Sequence, residues 1–580
     1  MPESPSFLRR YVFSTDHKVI GIQYIVTGLV MAVAGAGLAL LIRLQLGWPT
    51  DPKPLLGALF PAGMPGGIMT PEFYLALVTM HGTIMVFFFV SYVLVSGFGN
   101  YLIPLQIGAR DMAFPFLNML SYWVALLAAV VMLLSFLVEG GAAAAGWTAY
   151  PPLSAVAAAA PGSGLGQTVW LLSMALFIAS FTMSGLNFIA TIFCLRAPGM
   201  SMLRMPLTVW SYFISAILGV LAFPPLTAAA IMLLFDRHLG TSFFLPGGLV
   251  VANELLSTQG GSPLLWQHLF WFLGHPEVYV LILPALGIAA DVLPPFTRKP
   301  VFGYRISVYS LIAVGVLSMI VWGHHMFVSG MSPFTGEYFS LATLLITIPM
   351  AIYGVNMLGS IWGGSLRLTA PMVWSLGVIA LFGSGGFGGI FLGNATADMQ
   401  LHDTYFVVGH FHLMIGGVTL FATFAGFYYW FPKMFGRSMH EGLGKAHFWA
   451  TFIPFFTVFF AQHFQGLEGM PRRYYAFSTY EFLEHAQGQN AFISVAAIVL
   501  IAGQALFLAN FLWSLRAGRP ASDNPWEATT LEWTVASPPP HGNFRGALAV
   551  ARWPYDYGLD DAARDYAPQT LAPPGAPAGS

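Results

Sequence analysis

Six histidines lie inside long apolar stretches of the chain, where a polar side chain is costly and usually functional. They are His81, His275, His324, His325, His410 and His412. Neutral imidazole is the commonest metal ligand in proteins and suits iron and copper. One such histidine could be an ordinary core residue that bonds a carbonyl, but six together predict metal binding. Because Cys194 is the one cysteine, a thiolate cluster and an intrachain disulfide are excluded.

The spacing of these histidines indicates how they would bind metal. His410 and His412 are two residues apart, about 200° around a helix, so they would serve two different centres on opposite faces. His324 and His325 are about 100° apart and could meet at one metal only if their helix is locally distorted. A third ligand from His275 would complete a three-imidazole copper site, with an open position that faces a substrate.

The segment that follows His275 adds acid–base and redox chemistry. Pro276 weakens the helix and frees a carbonyl. Tyr279 is four residues after His275, so the two side chains share one helix face. A phenol beside a metal-bound imidazole can give up an electron and a proton. Glu277 is a carboxyl within an apolar segment, which predicts a proton-relay role.

The elements that must position these residues are membrane helices. The chain is 57% hydrophobic and only 8% charged, whereas a soluble protein carries about 25% charged residues. The sequence therefore predicts an all-α, polytopic membrane protein. Nothing in its net charge of −1 suggests nucleic-acid binding. Twelve apolar segments are predicted to cross the bilayer, at 19–43, 73–104, 115–138, 166–195, 206–235, 263–293, 305–330, 338–362, 371–392, 404–432, 447–467 and 490–515.

Cation placement predicts the orientation. With twelve spans, 18 of the 23 Lys and Arg residues fall on the side that carries both termini, which predicts cytoplasmic termini. In that topology all six histidines lie in the outer half of the bilayer. We expect a cytoplasmic N-terminal segment at 1–18, a twelve-helix catalytic domain at 19–516, and a cytoplasmic, polar, Pro-rich tail at 517–580 whose end is disordered.

Five motifs resemble one family. They are WQHLFWFLGHPEVYVLILPALGI, VWGHHMF, HDTYFVVGHFH, NYLIPLQIGARDMAFPFLN and GMPRRY. They resemble subunit I of the haem-copper oxidases, and cytochrome c oxidase in particular, and the likeness runs from residue 14 to about residue 544. The resemblance implies twelve helices that surround two haems and a copper, in the inner (plasma) membrane of a bacterium.

The resemblance also implies ligand roles. His81 and His412 match the axial ligands of a low-spin haem, and His410 matches the ligand of a high-spin haem. The matches to the copper ligands are His275, His324 and His325, with Tyr279 cross-linked to His275. Arg43 matches an arginine that faces a haem formyl group, which favours haem A.

Further matches lie at the predicted outer surface and along a proton pathway. Arg472 and Arg473 match the pair that neutralises haem propionates, with Asp398 nearby, and His402 and Asp403 match magnesium ligands. The family's aspartate-started proton pathway maps onto Asp111, Asn100, Asn118, Tyr24, Ser180 and Glu277.

The chain departs from the family at its second proton pathway. Tyr353 occupies the position of the family's lysine, and Ala290 that of its serine. A tyrosine can bond water but cannot carry positive charge as lysine does. Either Tyr353 anchors a weaker water chain, or all protons enter by Asp111.

The predicted function is the four-electron reduction of O2 to water, coupled to proton uptake and pumping. Cytochrome c would donate electrons through a subunit II with a dinuclear copper site, since this chain has only Cys194, and a subunit III is also expected. A quinol oxidase is the first alternative, although FYLALVTMHG lacks the polar residues of quinol-oxidising relatives. Tyr279 and Asp111 argue against a nitric oxide reductase. A transporter would leave the six histidines unexplained.

Overall fold

The computed structural model describes residues 6–160, 164–546, 548–559 and 564–572, and these residues are mostly helical. Twelve long helices account for most of them, one in each of the twelve predicted segments. The helices are α1 (His17–Gly47), α2 (Pro71–Ile107), α3 (Pro115–Leu137), α4 (Gly164–Cys194), α5 (Leu207–His238), α6 (Pro263–Thr297), α7 (Tyr304–Ser318), α8 (Pro333–Ile361), α9 (Ala370–Gly393), α10 (Tyr405–Phe435), α11 (Glu441–Leu467) and α12 (Ala486–Ala517).

Within the described ranges, ten of these helices are long and apolar enough to cross a membrane, so the chain is a multi-pass membrane protein. The other two are α7 and α11. Helix α7 has 15 residues and is followed by a short 3-10 helix, Trp322–Met326. Helix α11 has 27 residues and buries polar side chains, among them His447 and Gln462, which lower its hydropathy.

Short polar residues start several helices. The side chains of Asp16, Thr70, Ser332 and Thr404 each accept a hydrogen bond from a backbone N–H in the first helical turn. After Thr70 and Ser332 a proline occupies the first helical position, where the missing N–H costs nothing. Helix α10 is closed by Gly436, whose positive φ of 67° lets the chain turn away from the helix.

Three segments near the histidines depart from α-helical geometry. Residues Ile84–Gly97 within α2 and His412–Val418 within α10 are π-helical. The 3-10 helix Trp322–Met326 carries His324 and His325. These departures change the direction in which side chains point, and such interruptions are frequent at functional sites.

Helices α5 and α6 pack closely through a glycine. A Cβ on Gly287 would lie 2.3 Å from Ser211 Oγ and 2.9 Å from the Cα of Thr208. Small residues allow this close approach, which is typical of helix packing in membranes. The contact holds α6 in the middle of the bundle, where all but a few of its residues are buried.

The smaller elements lie in the connections and the tail. They include the short helices Pro54–Leu59 and Ala395–Leu401 and the 3-10 helix Leu531–Thr534. Strand Val250–Val251 pairs with Glu254–Leu255, and Arg437–Ser438 pairs with Arg519–Pro520, both antiparallel.

Much of the tail folds against the bundle. Leu531, Trp533 and Tyr555 are buried against the ends of the helices. The predicted disorder at the very end of the chain falls on residues 573–580, which lie outside the described residues.

One arginine clamps the tail to the end of α6. Arg298 Nε donates to Asp565 Oδ2 (2.8 Å), and Arg298 Nη1 lies 3.3 Å from Glu527 Oε2. The same guanidinium packs over the rings of Tyr557 and Tyr566. Because both carboxylates are half exposed, solvent screens these ion pairs, and the cation–π contacts add to a modest total.

We expect Arg298→Ala to loosen residues 551–559 and 564–572 by about 1 kcal/mol, because it removes both ion pairs and both ring contacts. Hydrogen–deuterium exchange of the tail, measured in detergent or nanodiscs, should become faster in this variant. Arg305→Ala, at an exposed arginine of α7, is the matched control. Equal exchange in both variants would show that Arg298 does not hold the tail.

Candidate haem and metal site

His275, His324 and His325 form one cluster. One ligand nitrogen of each lies within 4.8 Å of those of the other two. Nδ1 of His275 and Nε2 of His325 are 3.2 Å apart. Two nitrogens bound to one metal at about 2.0–2.1 Å each are separated by a distance of this size. The local distortion that the adjacent histidines require is present, since they lie in a 3-10 helix.

The surroundings of the cluster orient its rings for a metal. Thr343 Oγ1 accepts a hydrogen bond from His324 Nδ1 (2.8 Å), which leaves Nε2 of His324 free. The ring of Trp271 stacks on His325 at 3.7 Å. Nε2 of His275 is buried with no hydrogen-bond partner among the described residues. Histidine ligands usually donate their second ring N–H to such a partner.

His81 and His412 form a second site. Their rings are parallel within 10°, with centroids 6.5 Å apart. Each Nδ1 donates to a backbone carbonyl, of Gly35 and of Val408, both at 2.9 Å, so each Nε2 is free. Two imidazoles that bind one metal from opposite sides, with bonds of about 2.0–2.1 Å, would have centroids about 6.5 Å apart. The gap therefore fits a six-coordinate metal between them.

His410 lies on the other side of α10. Its Nδ1 donates to the carbonyl of Gly385 (2.8 Å). A Cβ on Gly388 would lie 3.0 Å from this Nδ1, so only a glycine leaves room for the ring. His412 therefore pairs with His81, and His410 is separate from both. This separation of His410 from His412 was predicted from their spacing.

All six histidines line a single cavity of about 1360 Å³ with mainly apolar walls. Small-molecule pockets commonly measure about 300–1,000 Å³, so the cavity has room for more than one large planar group. The free nitrogens, the apolar walls and the volume together fit haem and copper.

Tyr279 and Glu277 lie next to the three-histidine cluster. The rings of Tyr279 and His275 are 4.8 Å apart between centroids, as their four-residue spacing predicts. Glu277 is buried, and Ser91 Oγ donates to its Oε1 (3.4 Å). Its Oε2 has no partner among the described residues. A buried carboxyl oxygen without a partner is suited to exchange a proton with bound water.

Arg43 faces the cavity from α1. Its guanidinium donates to Ser494 Oγ (3.0 Å) and to the carbonyl of Asn490 (2.9 Å). Its Nη1 is buried and has no partner among the described residues. A cation with one free donor that borders the cavity can bind an oxygen of a group held there.

A charged cluster closes the cavity at the end where α2 begins. Arg472 Nε donates to Asp403 Oδ1 (2.6 Å), and His402 Nδ1 lies 2.8 Å from Asp398 Oδ2. Burial and the charge of Arg472 lower the pKa of Arg473 to about 10, so this guanidinium stays cationic at neutral pH. All five residues line the cavity. His402 and Asp403 are adjacent in the sequence, and each contacts another side chain of this cluster. The partner of His402 is Asp398, and the partner of Asp403 is Arg472.

The predicted proton-pathway residues lie on α1, α2, α3, α4 and α6 and in the loop after α2. Asp111 lies in the loop after α2, and burial raises its pKa above the ordinary value. Asn118 is fully buried, and neither polar atom of its amide has a partner among the described residues. The hydroxyl of Tyr24 lies 3.3 Å from Ser180 Oγ. Unpartnered buried polar atoms of this kind are typical water sites.

Sequence reasoning missed several members of this polar row. Ser121 and Ser184 both contact the Tyr24 hydroxyl, and Ser121 Oγ also donates to the carbonyl of Asn118 (2.7 Å). Ser91 is the hydrogen-bond donor to Glu277. Serines are common in membrane helices, so only their position in space distinguishes them.

Known proteins resemble this chain over nearly its whole length. The family model described as "Cytochrome C and Quinol oxidase polypeptide I" matches residues 19–503. The chain is 47% identical to "Alternative cytochrome c oxidase subunit 1" of Bradyrhizobium diazoefficiens, over 98% of this chain and 94% of that protein. It is 39% identical to "Cytochrome c oxidase subunit 1" of Thermostichus vulcanus, over 97% and 95% of the two chains.

A solved structure described as a heme-copper terminal oxidase dimer is similar in fold. It has a TM-score of 0.66 at 22% identity, over 87% of this chain and 84% of that one. The family model covers the helices that carry the histidines, and the sequence matches extend over nearly the whole chain. The chain therefore belongs to the cytochrome c and quinol oxidase polypeptide I family, as a membrane-embedded catalytic subunit of a terminal oxidase.

Proposed function

We propose that this subunit reduces O2 to water with electrons from cytochrome c. The observation that carries the proposal is the parallel His81–His412 pair, separated by one metal-sized gap, beside the three-histidine cluster. Haem and copper, when bound, supply the redox chemistry. The protein positions these groups, excludes water with an apolar cavity, and delivers protons.

Each histidine has one proposed role. His81 and His412 hold a low-spin haem, His410 holds a high-spin haem, and His275, His324 and His325 hold one copper. The free donor of Arg43 at the cavity supports a formyl-bearing haem of the A type. The adjacent cations Arg472 and Arg473 would neutralise haem propionates.

Tyr279 and Glu277 would move protons near the metal site. Tyr279 lies close enough to His275 for the cross-link that the family resemblance implies, and Nε2 of His275 is the unpartnered atom. Glu277 would receive protons that enter at Asp111 and pass Asn100, Asn118, Tyr24 and Ser180. The hydroxyls and unpartnered amides along this row support a water-filled route.

The proposed donor is cytochrome c because both curated relatives carry that name. A subunit II with a dinuclear copper site would pass the electrons on, and a subunit III is also expected. The proposed location is a bacterial inner membrane, with both termini cytoplasmic. Residues 19–516 would form the catalytic domain, between an N-terminal segment at 1–18 and a tail at 517–580. His402 and Asp403 would bind magnesium with water completing the shell.

An optical spectrum of the purified complex tests the proposal. A reduced-minus-oxidised spectrum should contain bands of two A-type haems, and reduced cytochrome c should support O2 consumption. Quinol-driven O2 consumption without cytochrome c activity would instead identify a quinol oxidase. Absence of haem bands would exclude a terminal oxidase.

We predict that His324→Ala lowers copper from one atom per chain to less than about a tenth of that, because two imidazoles hold copper far more weakly than three. Elemental analysis measures copper, and the low-spin haem spectrum confirms that the variant folds. His268→Ala, at a histidine outside the cluster, is the matched control. Full copper content in His324→Ala would contradict the assigned ligand set.

Asp111→Asn should slow turnover about tenfold or more, because an amide cannot release a proton. In the parent protein, proton delivery should fall as pH rises through the raised pKa of Asp111, since the protonated carboxyl is the donor. This pH dependence should be absent in the variant. Asp51→Asn, at an exposed aspartate beyond the other end of α2, should behave like the parent.

Tyr353→Phe tests the second proton route. Tyr353 is buried, and its hydroxyl donates to the carbonyl of Leu286 (3.3 Å). If this hydroxyl anchors a water chain, its loss should slow reduction of the haem–copper centre several-fold in stopped-flow measurements. An unchanged rate would mean that protons reach the centre without Tyr353.

A further inference from the structure

Two carboxyl groups meet in the protein interior at the end of α6 that lies away from the histidines. Asp291 is 5% exposed and Glu532, in the tail, is 0% exposed. One amide bridges them, because Nε2 of Gln106 donates to Asp291 Oδ2 (3.2 Å) and to Glu532 Oε1 (3.1 Å). Neither carboxyl lines the haem cavity.

The remaining contacts of the pair are neutral donors. The Tyr555 hydroxyl donates to Asp291 Oδ1, and Trp430 Nε1 donates to Glu532 Oε1 (3.2 Å). Glu532 Oε2 and Gln106 Oε1 are buried with no partner among the described residues.

The titratable groups that face the pair are one lysine and five tyrosines: Lys433, Tyr304, Tyr353, Tyr429, Tyr555 and Tyr557. Lys433 is close enough to interact with the charge of Glu532, but it forms no ion pair with either carboxyl. Its Nζ donates to the carbonyls of Asp523 (2.9 Å) and Val535 (2.6 Å). Within the described ranges, neither carboxyl forms an ion pair.

Two negative charges on one bridging amide, buried and without an ion-pair partner among the described residues, repel each other strongly. One of two such carboxyls keeps its proton at neutral pH. Burial raises the pKa of Glu532. The unpartnered Oε2 of Glu532 is free to carry the proton without losing a hydrogen bond.

The position of Asp291 on α6 suggests where the proton of the pair could go. The carbonyl of Leu286, which accepts from the Tyr353 hydroxyl, is five residues before Asp291 and seven after Tyr279. At about 1.5 Å per residue, Tyr353 therefore lies between the carboxyl pair and the metal site along the helix. The buried hydroxyl of Thr208 also lies beside Asp291.

We propose that Asp291 and Glu532 share one proton across Gln106. Together they would form a proton-donating site that supplies the second route, through Tyr353. The shared proton is a property of the pair itself, whereas its destination rests on the proposed oxidase function. The site uses a helix residue and a tail residue in place of the lysine that this chain lacks.

Infrared difference spectroscopy of the intact complex tests the shared proton. At neutral pH, parent-minus-variant spectra for Asp291→Asn and for Glu532→Gln should each contain the C=O stretch of a protonated carboxyl, shifted in D2O. Asp236→Asn is the control, because this buried side chain accepts hydrogen bonds from three donors (Thr241 Oγ1 and the N–H groups of Phe243 and Phe244) and shares none of them with a second carboxyl. No protonated-carboxyl band in either difference spectrum would overturn the proposal.

Reduction kinetics test the destination. Asp291→Asn and Glu532→Gln should slow anaerobic reduction of the haem–copper centre at least fivefold, while Asp291→Glu should restore part of the rate. Rates within twofold of the parent in both variants would overturn the route. A protein with the infrared band but without haem would refute the oxidase function and leave the shared proton standing, so the two failures are distinguishable.

Discussion

The structure depends on one constraint: each ring nitrogen of a buried imidazole needs a hydrogen-bond partner or a metal. In His81, His410 and His412, one nitrogen donates to a backbone carbonyl, and in His324 it donates to a threonine hydroxyl. The other nitrogen faces a cavity whose walls are mainly apolar. A free lone pair in such surroundings is costly unless a metal binds it. The local backbone follows from this requirement, because the 3-10 and π-helical segments and Gly388 give the rings their directions and their space.

The polar residues outside the cavity obey a related constraint. A buried hydroxyl or amide needs a hydrogen-bond partner, and several along the Asp111–Glu277 row have none among the described residues. Water satisfies such groups, and a row of waters between Asp111 and Glu277 would conduct protons. The cavity can therefore stay apolar while protons arrive along its edge. The charged cluster of Arg472, Arg473 and Asp403 lies at the opposite end of α2, away from Asp111.

Much of this arrangement could be predicted from the sequence. The twelve helices follow from long apolar segments and from local start signals such as Thr70 followed by Pro71. We predicted that His324 and His325 could both reach one metal with His275 only if their helix is distorted. The structure has this distortion, because both histidines lie in a 3-10 helix. The separation of His410 from His412 followed from helix periodicity alone. The ligand and proton-transfer roles of these residues stay predictions.

Other features could not be predicted because they depend on contacts between distant residues. Glu532 and Asp291 are separated by 241 positions, and nothing local indicates that the tail folds back to join them. The sequence of the tail is polar and Pro-rich, but its residues Leu531, Trp533 and Tyr555 are buried. The π-helical geometry at Ile84–Gly97 has no pattern of its own in the sequence, since apolar residues fill most of its positions.

X-ray absorption at the copper edge tests most directly whether metal completes these unpartnered imidazoles. The account predicts three nitrogen ligands at about 2.0 Å, with the outer-ring scattering that identifies imidazole. A copper site with sulfur ligands, or with fewer than three imidazoles, would contradict it.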